Sequence, residues 1–277
     1  MCYRFELVEF EDCLFKNVEA TYILHLEGNG RIEHIHEQLK TYHPTKKVYI
    51  VYNKGYKKCE KDLAIQRTTD DLVHVNITVF EHAQQYKHVL VLEDDFIFSK
   101  EVVGHAKHVD TFLKRDTMFV YQLGGIPLIA MPIDMNHCRS YSVAAHANIY
   151  DVSARKRILN NYRSNKSKIE NIDYYISTIL PVYMYHKPLC YQIFPMTDNR
   201  KNWFKNANGL FSVVDVIFNT FISWTNLENE PEPGFSILYF LAKLIPFILF
   251  FLLVWLFSYI PFFSCLPCKN LKGKRVR

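Results

Sequence analysis

The first twenty residues hold no long apolar run, and they carry Glu6, Glu9, Glu11 and Asp12. A secretory leader is therefore not expected at this end. Cysteine is sparse and scattered, with seven residues at 2, 13, 59, 138, 190, 265 and 268. An odd, dispersed set suggests no disulfide framework and favours a reducing compartment. Cys265 and Cys268 form one Cys-x-x-Cys with no second pair, which argues against a zinc site. Cationic excess is also lacking over most of the chain. The formal charge is +5, but Lys269, Lys272, Lys274, Arg275 and Arg277 crowd into the tail with no acid among them. The remainder is near neutral, so no broad nucleic-acid-binding face is expected. No internal repeat is evident.

What is present is apolar and aromatic. Of 277 residues, 49% are hydrophobic and 15% aromatic, enough for a real core in one sizeable domain or two small ones. Short apolar runs at 21–26, 48–52 and 89–92 read as buried strands. Helical stripes at 32–42, 69–86 and 102–113 alternate with them, which implies βαβ units and a mainly parallel sheet. Further strands are expected at 118–123, 142–150 and 182–185, with helices at 153–162 and 171–178. Gly124-Gly125 should break the chain, leaving 126–140 irregular.

The densest chemistry follows the third strand, in His88-Val-Leu-Val-Leu-Glu-Asp-Asp-Phe96. Ligands of open α/β sheets bind beyond the carboxyl ends of strands, where Glu93, Asp94 and Asp95 fall. Three adjacent carboxylates repel one another. A hard divalent cation, Mg²⁺ or Mn²⁺, would offset that and bridge to a diphosphate; a solvated acidic turn is the other reading.

From residue 210 the texture changes. Apolar residues recur at helical spacing over 210–224, and the opposite face lacks lysine and arginine, which favours packing on the domain over lying on lipid. A short acidic linker with two prolines follows. Residues 244–263 are almost wholly apolar and about 30 Å long as a helix, matching a bilayer core. The expected organisation is a domain at 1–200, a helix and linker at 201–234, a single-pass anchor at 235–265 and a basic tail at 266–277. A cut near Asn229 should then release a soluble domain. The basic tail favours a cytosolic C terminus, whereas the missing leader favours a cytosolic catalytic domain; the second placement is preferred.

Taken together, several stretches resemble the family 25 glycosyltransferases, which include lipopolysaccharide and collagen galactosyltransferases. Tyr22-Ile-Leu-His-Leu26 with Arg31 is similar to the family's opening strand and arginine. Leu90-Val-Leu-Glu-Asp-Asp95 matches its acidic signature, with the helix through Glu81-His82-Ala83 before it. Ala145-His146-Ala147 ahead of Ser153-Ala-Arg155, and Ile172-Asp-Tyr174, resemble its later segments. The likeness covers about residues 20–195. It implies a GT-A-like (Rossmann-like) α/β fold and an inverting, metal-dependent hexosyl transfer. The donor would be a nucleotide sugar, with a UDP-sugar favoured, and the acceptor a glycan, protein or lipid at the bilayer. On this resemblance Glu93 and Asp95 hold the metal, Asp94 accepts from a ribose hydroxyl, and Arg31 and His146 face the donor. Asp173 is the base that deprotonates the acceptor. Each has a plainer alternative: Asp173 as a helix N-terminal acid, His146 as a structural histidine, Arg31 as a surface residue. Asn148 stands where the family has Tyr, and the family's Gly-Cys-x-x-Ser-His is reduced to Val73-His74. Those departures keep open a non-catalytic binding protein. A metal-dependent phosphoesterase would need more ligands than the chain supplies in any clear cluster.

Overall fold

Residues Ala20–Leu26 form a strand that is buried on both faces until its last residue, as a near-continuous apolar run at the centre of an α/β sheet should be. The computed structural model describes residues 1–194 and 210–258. In chain order its elements are β1 (Tyr3–Glu9), β2 (Ala20–Leu26), α1 (Ile32–Thr41), β3 (Lys47–Asn53), α2 (Thr68–His82), β4 (His88–Glu93) and β5 (Ile97–Phe98). They continue as α3 (Val102–Phe112), β6 (Val120–Pro132), β7 (His137–Asp151), α4 (Val152–Ser164), α5 (Ile172–Ile179), β8 (Val182–Tyr185) and β9 (Cys190–Tyr191). Two further helices, α6 (Leu210–Trp224) and α7 (Gly234–Ser258), close the described chain.

The main sheet has seven strands in the order β1-β3-β2-β4-β7-β6-β8. Its core, β3-β2-β4, is parallel, and the register sets Leu24 opposite Glu93. Antiparallel strands extend it on both sides, through β1 against β3 and β7 against β4. The sheet is therefore mixed: parallel at β3-β2-β4, beside the acids, and again where β6 meets β8, and antiparallel elsewhere. One face packs on α1 and α3 through Ile35, Leu39, Val102, Val109 and Phe112. The other packs on α2, α4 and α5 through Val75, Val79, Ile158 and Ile176.

Arg155 anchors the approach to β4. It is buried in α4 and donates to the carbonyls of Ala83 (2.6 Å), Tyr86 and Lys87, at and just beyond the end of α2. The last carbonyls of a helix have no partner within it, and Arg155 supplies donors there beside the Tyr86 N to Ala83 O bond (3.1 Å). The α4 cap is Asp151, which accepts from Ser153 N and Ala154 N at 2.7 and 2.9 Å, rather than Ser153 itself.

Three expectations are corrected. Residues 126–140 are not irregular, because β6 and β7 form one long bulged hairpin with register shifts at Gln122, Gly124 and Pro127. Gly124 does not break the strand; a Cβ there would collide with Cys190 O and the His146 ring, so glycine allows that approach. The N-terminal residues form an edge strand, β1. Finally, Cys2 and Cys59 are disulfide-bonded across 57 residues, while Cys13, Cys138 and Cys190 are free thiols.

The third core cluster joins the hairpin to the C-terminal helices. Ile126, Cys138, Met184 and Phe194 pack with Ile222, Leu227, Phe235, Tyr239 and Ala242. The start of α7 is thus core, and a cut near Asn229 would remove part of that core with the apolar helix. Beyond Lys243 the character changes: 244–257 are largely exposed, and α7 is long and apolar enough to cross a membrane. Only 11% of its most apolar window is buried, unlike a core helix. Cys265, Cys268 and the basic tail lie outside the described residues.

Candidate active site

The carboxyl ends of β2, β3 and β4 open onto a cleft of about 440 Å³, lined among others by His25, Asn29, Arg31, Asp71, Glu93 and Asp95. Its floor is the acidic run, and the three acids have different surroundings. Asp94 is buried and fully engaged. It accepts from Leu26 N (3.0 Å), Asn29 Nδ2 (2.6 Å) and Arg31 Nη1 (2.8 Å), with His25 Nδ1 at 3.2 Å. Burial pushes its pKa up, but the hydrogen bonds from His25, Arg31 and Asn29 outweigh this and hold it below the usual carboxylate range. Asp94 is a structural anion that fixes the turn after β2.

Asp95 pairs with the same arginine, at 3.1 Å from Arg31 Nη1, and accepts from Gln192 Nε2 at 3.1 Å. Its Oδ1 is buried with no hydrogen-bond partner among the described residues. Burial raises its pKa despite Arg31. Glu93 is raised well above its ordinary value, first by burial and then by Asp95, Asp173 and Asp94. Arg31 is itself held in its charged form: burial works against the charge, but Asp95 and Asp94 outweigh that.

Asp173, at the first turn of α5, lies close enough to Glu93 and Tyr150 to raise both. The fold therefore brings Arg31, Glu93, Asp94, Asp95 and Asp173 into one electrostatic neighbourhood, although Asp173 does not line the cleft. His146 is elsewhere. It is buried with Nε2 3.4 Å from Cys190 O and its ring edge-on to Phe235, and it too does not line the cleft. Burial lowers its pKa to about 4, so it is neutral.

Sequence reasoning missed several lining residues. His25 and Asn29 reach Asp94 from the end of β2. Gln192 arrives because β9 pairs with β5, the short strand just after the acids, with Ile97 opposite Tyr191. At the far side, Lys61 is buried and paired with Asp71 and Asn53, and Cys59, two residues away, is tied to Cys2. Asp71 also accepts from Tyr56 N at 3.1 Å, so the loop between β3 and α2 is held as a wall of the cleft.

The residues fit a hard cation. Glu93, Asp94 and Asp95 lie around one arginine, and a buried Asp95 oxygen is without a hydrogen-bond partner among the described residues; carboxylate oxygens are the donors that suit Mg²⁺ or Mn²⁺. Among the described residues, no group of three or more His, Cys, Asp or Glu is placed to hold a metal ion. Arg31 is the local counter-charge.

No protein-family model matches the chain, and no curated protein matches it. Among solved structures, it is similar to a glycosyltransferase involved in glycosylation of the major capsid of PBCV-1, at 12% identity and a TM-score of 0.32, over 57% of this chain and 72% of the other. It is also similar to a glucose-1-phosphate thymidylyltransferase from Bacillus anthracis, at 11% identity and 0.30, over 61% and 69%. Both likenesses are distant.

Proposed function

We propose that the cleft binds a nucleoside diphosphate sugar and that the chain is a membrane-anchored hexosyltransferase of the family 25 type. The observation that carries this reading is the division of labour in the acidic run. Asp94 is consumed in holding the turn after β2, whereas Asp95 keeps a buried oxygen without a partner beside Arg31. An anionic diphosphate needs positive charge, and among the described residues that line the cleft Arg31 is the lysine or arginine that supplies it. Glu93 and Asp95 would hold a divalent cation, which supplies charge neutralisation for a departing diphosphate.

The chain's own residues then do the following. Arg31 pairs with phosphate oxygens, as a planar guanidinium suits. Gln192 and Arg31 keep Asp95 oriented. Asp173 takes the proton of the acceptor hydroxyl; its nearness to Glu93 supports that role, because neighbouring acids raise one another's proton affinity and make a carboxylate a better base. The apolar helix α7 supports anchoring to a bilayer. The Cys2–Cys59 bond and the basic tail support a domain on the oxidising side, against the cytosolic placement expected from the sequence.

The test is titration of the full chain with a panel of nucleoside diphosphate sugars, with Mn²⁺, Mg²⁺ or a chelator, reading binding and release of nucleoside diphosphate. Cation-dependent binding with slow hydrolysis of one donor is expected. Binding with no turnover on any acceptor would select the non-catalytic reading, and phosphate release from simple esters would select a phosphoesterase.

A further inference from the structure

The β6–β7 hairpin ends in a turn that exposes apolar side chains. Met131, Ile133 and Met135 are 56%, 42% and 89% exposed. The turn itself is well made: Ile133 N donates to His137 O at 3.0 Å, and Asp134 Oδ1 accepts from Asn136 N and His137 N at 2.8 Å. A fixed turn that presents large apolar groups to solvent calls for a partner.

Its place in the fold indicates which. Lys243 Nζ donates to His186 O at 3.0 Å, and His186 N donates to Asn136 O at 2.8 Å. One residue thus links the hairpin turn to the point where α7 stops being core. Ala242 is the last buried residue of the helix, and the exposed apolar run begins at Leu244. The turn stands beside the exit of the helix. Arg139 lies over the Tyr183 ring and Lys243 stands at the helix exit, while Arg115 and Lys187 are paired with Asp134 (3.5 Å) and Glu101 (3.1 Å). Apolar side chains with Arg139 and Lys243 beside them suit an anionic lipid surface.

We infer that the tip of the β6–β7 hairpin is a second membrane contact, inserting Met131, Ile133 and Met135 into the anionic headgroup region of the leaflet that α7 enters. The inference rests on reading α7 as a membrane span. A single helix leaves a domain free to swivel and tilt about its exit point. A second contact removes that freedom and holds the cleft at one attitude to the bilayer, as transfer to a membrane-bound acceptor would require.

The experiment uses the full chain in nanodiscs of phosphatidylglycerol and phosphatidylcholine, some carrying brominated acyl chains. Met135→Trp adds a reporter at the tip, and Phe250→Trp adds one in the apolar helix; each spectrum is read against the parent chain. Bromolipid should quench both added signals, the tip at the depth of about 5–10 Å where interfacial groups sit. Quenching at 135 should weaken when phosphatidylglycerol is left out. If 250 is quenched and 135 is not, the hairpin contact is overturned while the span stands. If 250 is not quenched, the span reading fails, and this inference with it. A signal at 135 that responds to protein concentration rather than bromolipid would assign the tip to a second protein and overturn the lipid contact.

Discussion

Gln192 donates its side-chain Nε2 to Asp95 Oδ2 across 3.1 Å, although 97 residues separate them in the chain. The bond ties the segment after β9 to the acidic run and leaves the other Asp95 oxygen alone. Removing the two partners should therefore have unequal effects. Gln192→Ala should weaken donor binding about tenfold, the worth of one hydrogen bond to a charged group. Asp95→Ala should abolish cation-dependent donor binding while the domain stays folded. Calorimetric titration with donor and Mn²⁺, beside a thermal melt, measures both. Normal cation-dependent binding by Asp95→Ala would remove it from the site.

Asp94 should behave oppositely. Its carboxylate accepts from four groups on the β2 side. Asp94→Asn keeps the shape but loses the charge and turns an acceptor into a donor facing Asn29 and Arg31. Breaking a buried pair in this way costs about 3 kcal/mol or more. Urea denaturation should show that loss, and an unchanged midpoint would mean that the turn after β2 does not depend on the anion.

Asp173 separates transfer from donor binding. Asp173→Asn is nearly isosteric, so folding should survive. Loss of a general base lowers transfer by about 10²–10⁴-fold, with donor affinity nearly unchanged. Equal loss of both would make it a binding residue, and loss of neither would move the base elsewhere.

His146 should make the fold acid-sensitive. Its folded pKa is lowered from 6.5 to about 4 by burial. Between those values the unfolded chain binds a proton that the folded chain refuses, so stability is fully present above pH 6.5 and is lost as pH falls toward 4. The whole effect is on the order of 3 kcal/mol. His146→Gln should flatten this part of the stability–pH curve; an unchanged slope would assign the acid sensitivity to other groups.

The limit of the folded domain can be measured by truncation. Residues 1–243 should fold and remain soluble, because Phe235, Tyr239 and Ala242 stay with their neighbours. Residues 1–229 lack these three and uncover Ile126, Met184 and Phe194. Loss of one buried aromatic costs about 3–5 kcal/mol, so the shorter fragment should melt lower and bind a hydrophobic dye. Identical melts would show that the helix start adds no stability.

The central strands were legible because β2 and β4 are buried on both faces, which leaves nearly unbroken apolar runs, and β3 is buried along most of its length. The hairpin was not, since glycine and proline punctuate a chain only where tertiary contacts do not need them. Gly124 is there because Cys190 and His146 crowd it. The place of the acidic run beyond the end of a buried strand was legible; the differing surroundings of its members were not. Asp94 is claimed by His25 and Asn29 only through the pairing of β2 with β4, a register no local pattern reveals. Lys61 was invisible for a different reason: lysine is almost never buried unless paired, and its partner Asp71 lies across a loop. The Cys2–Cys59 bond depends on β1 pairing with β3, which sets Tyr3 opposite Asn53.

Phe235, at the start of α7, touches His146 and Tyr191, and eight residues later Lys243 marks the helix exit. A helix rises 1.5 Å per residue, so roughly 12 Å separate the two levels. There is no slack stalk in between. On the proposal that α7 crosses a bilayer, the cleft would be like a tool on a short rigid mount, its reach a thin layer parallel to the lipid surface. Acceptors in that layer would be met by lateral diffusion in two dimensions. Lengthening the mount, rather than altering the cleft, would be the way to change which acceptors are served.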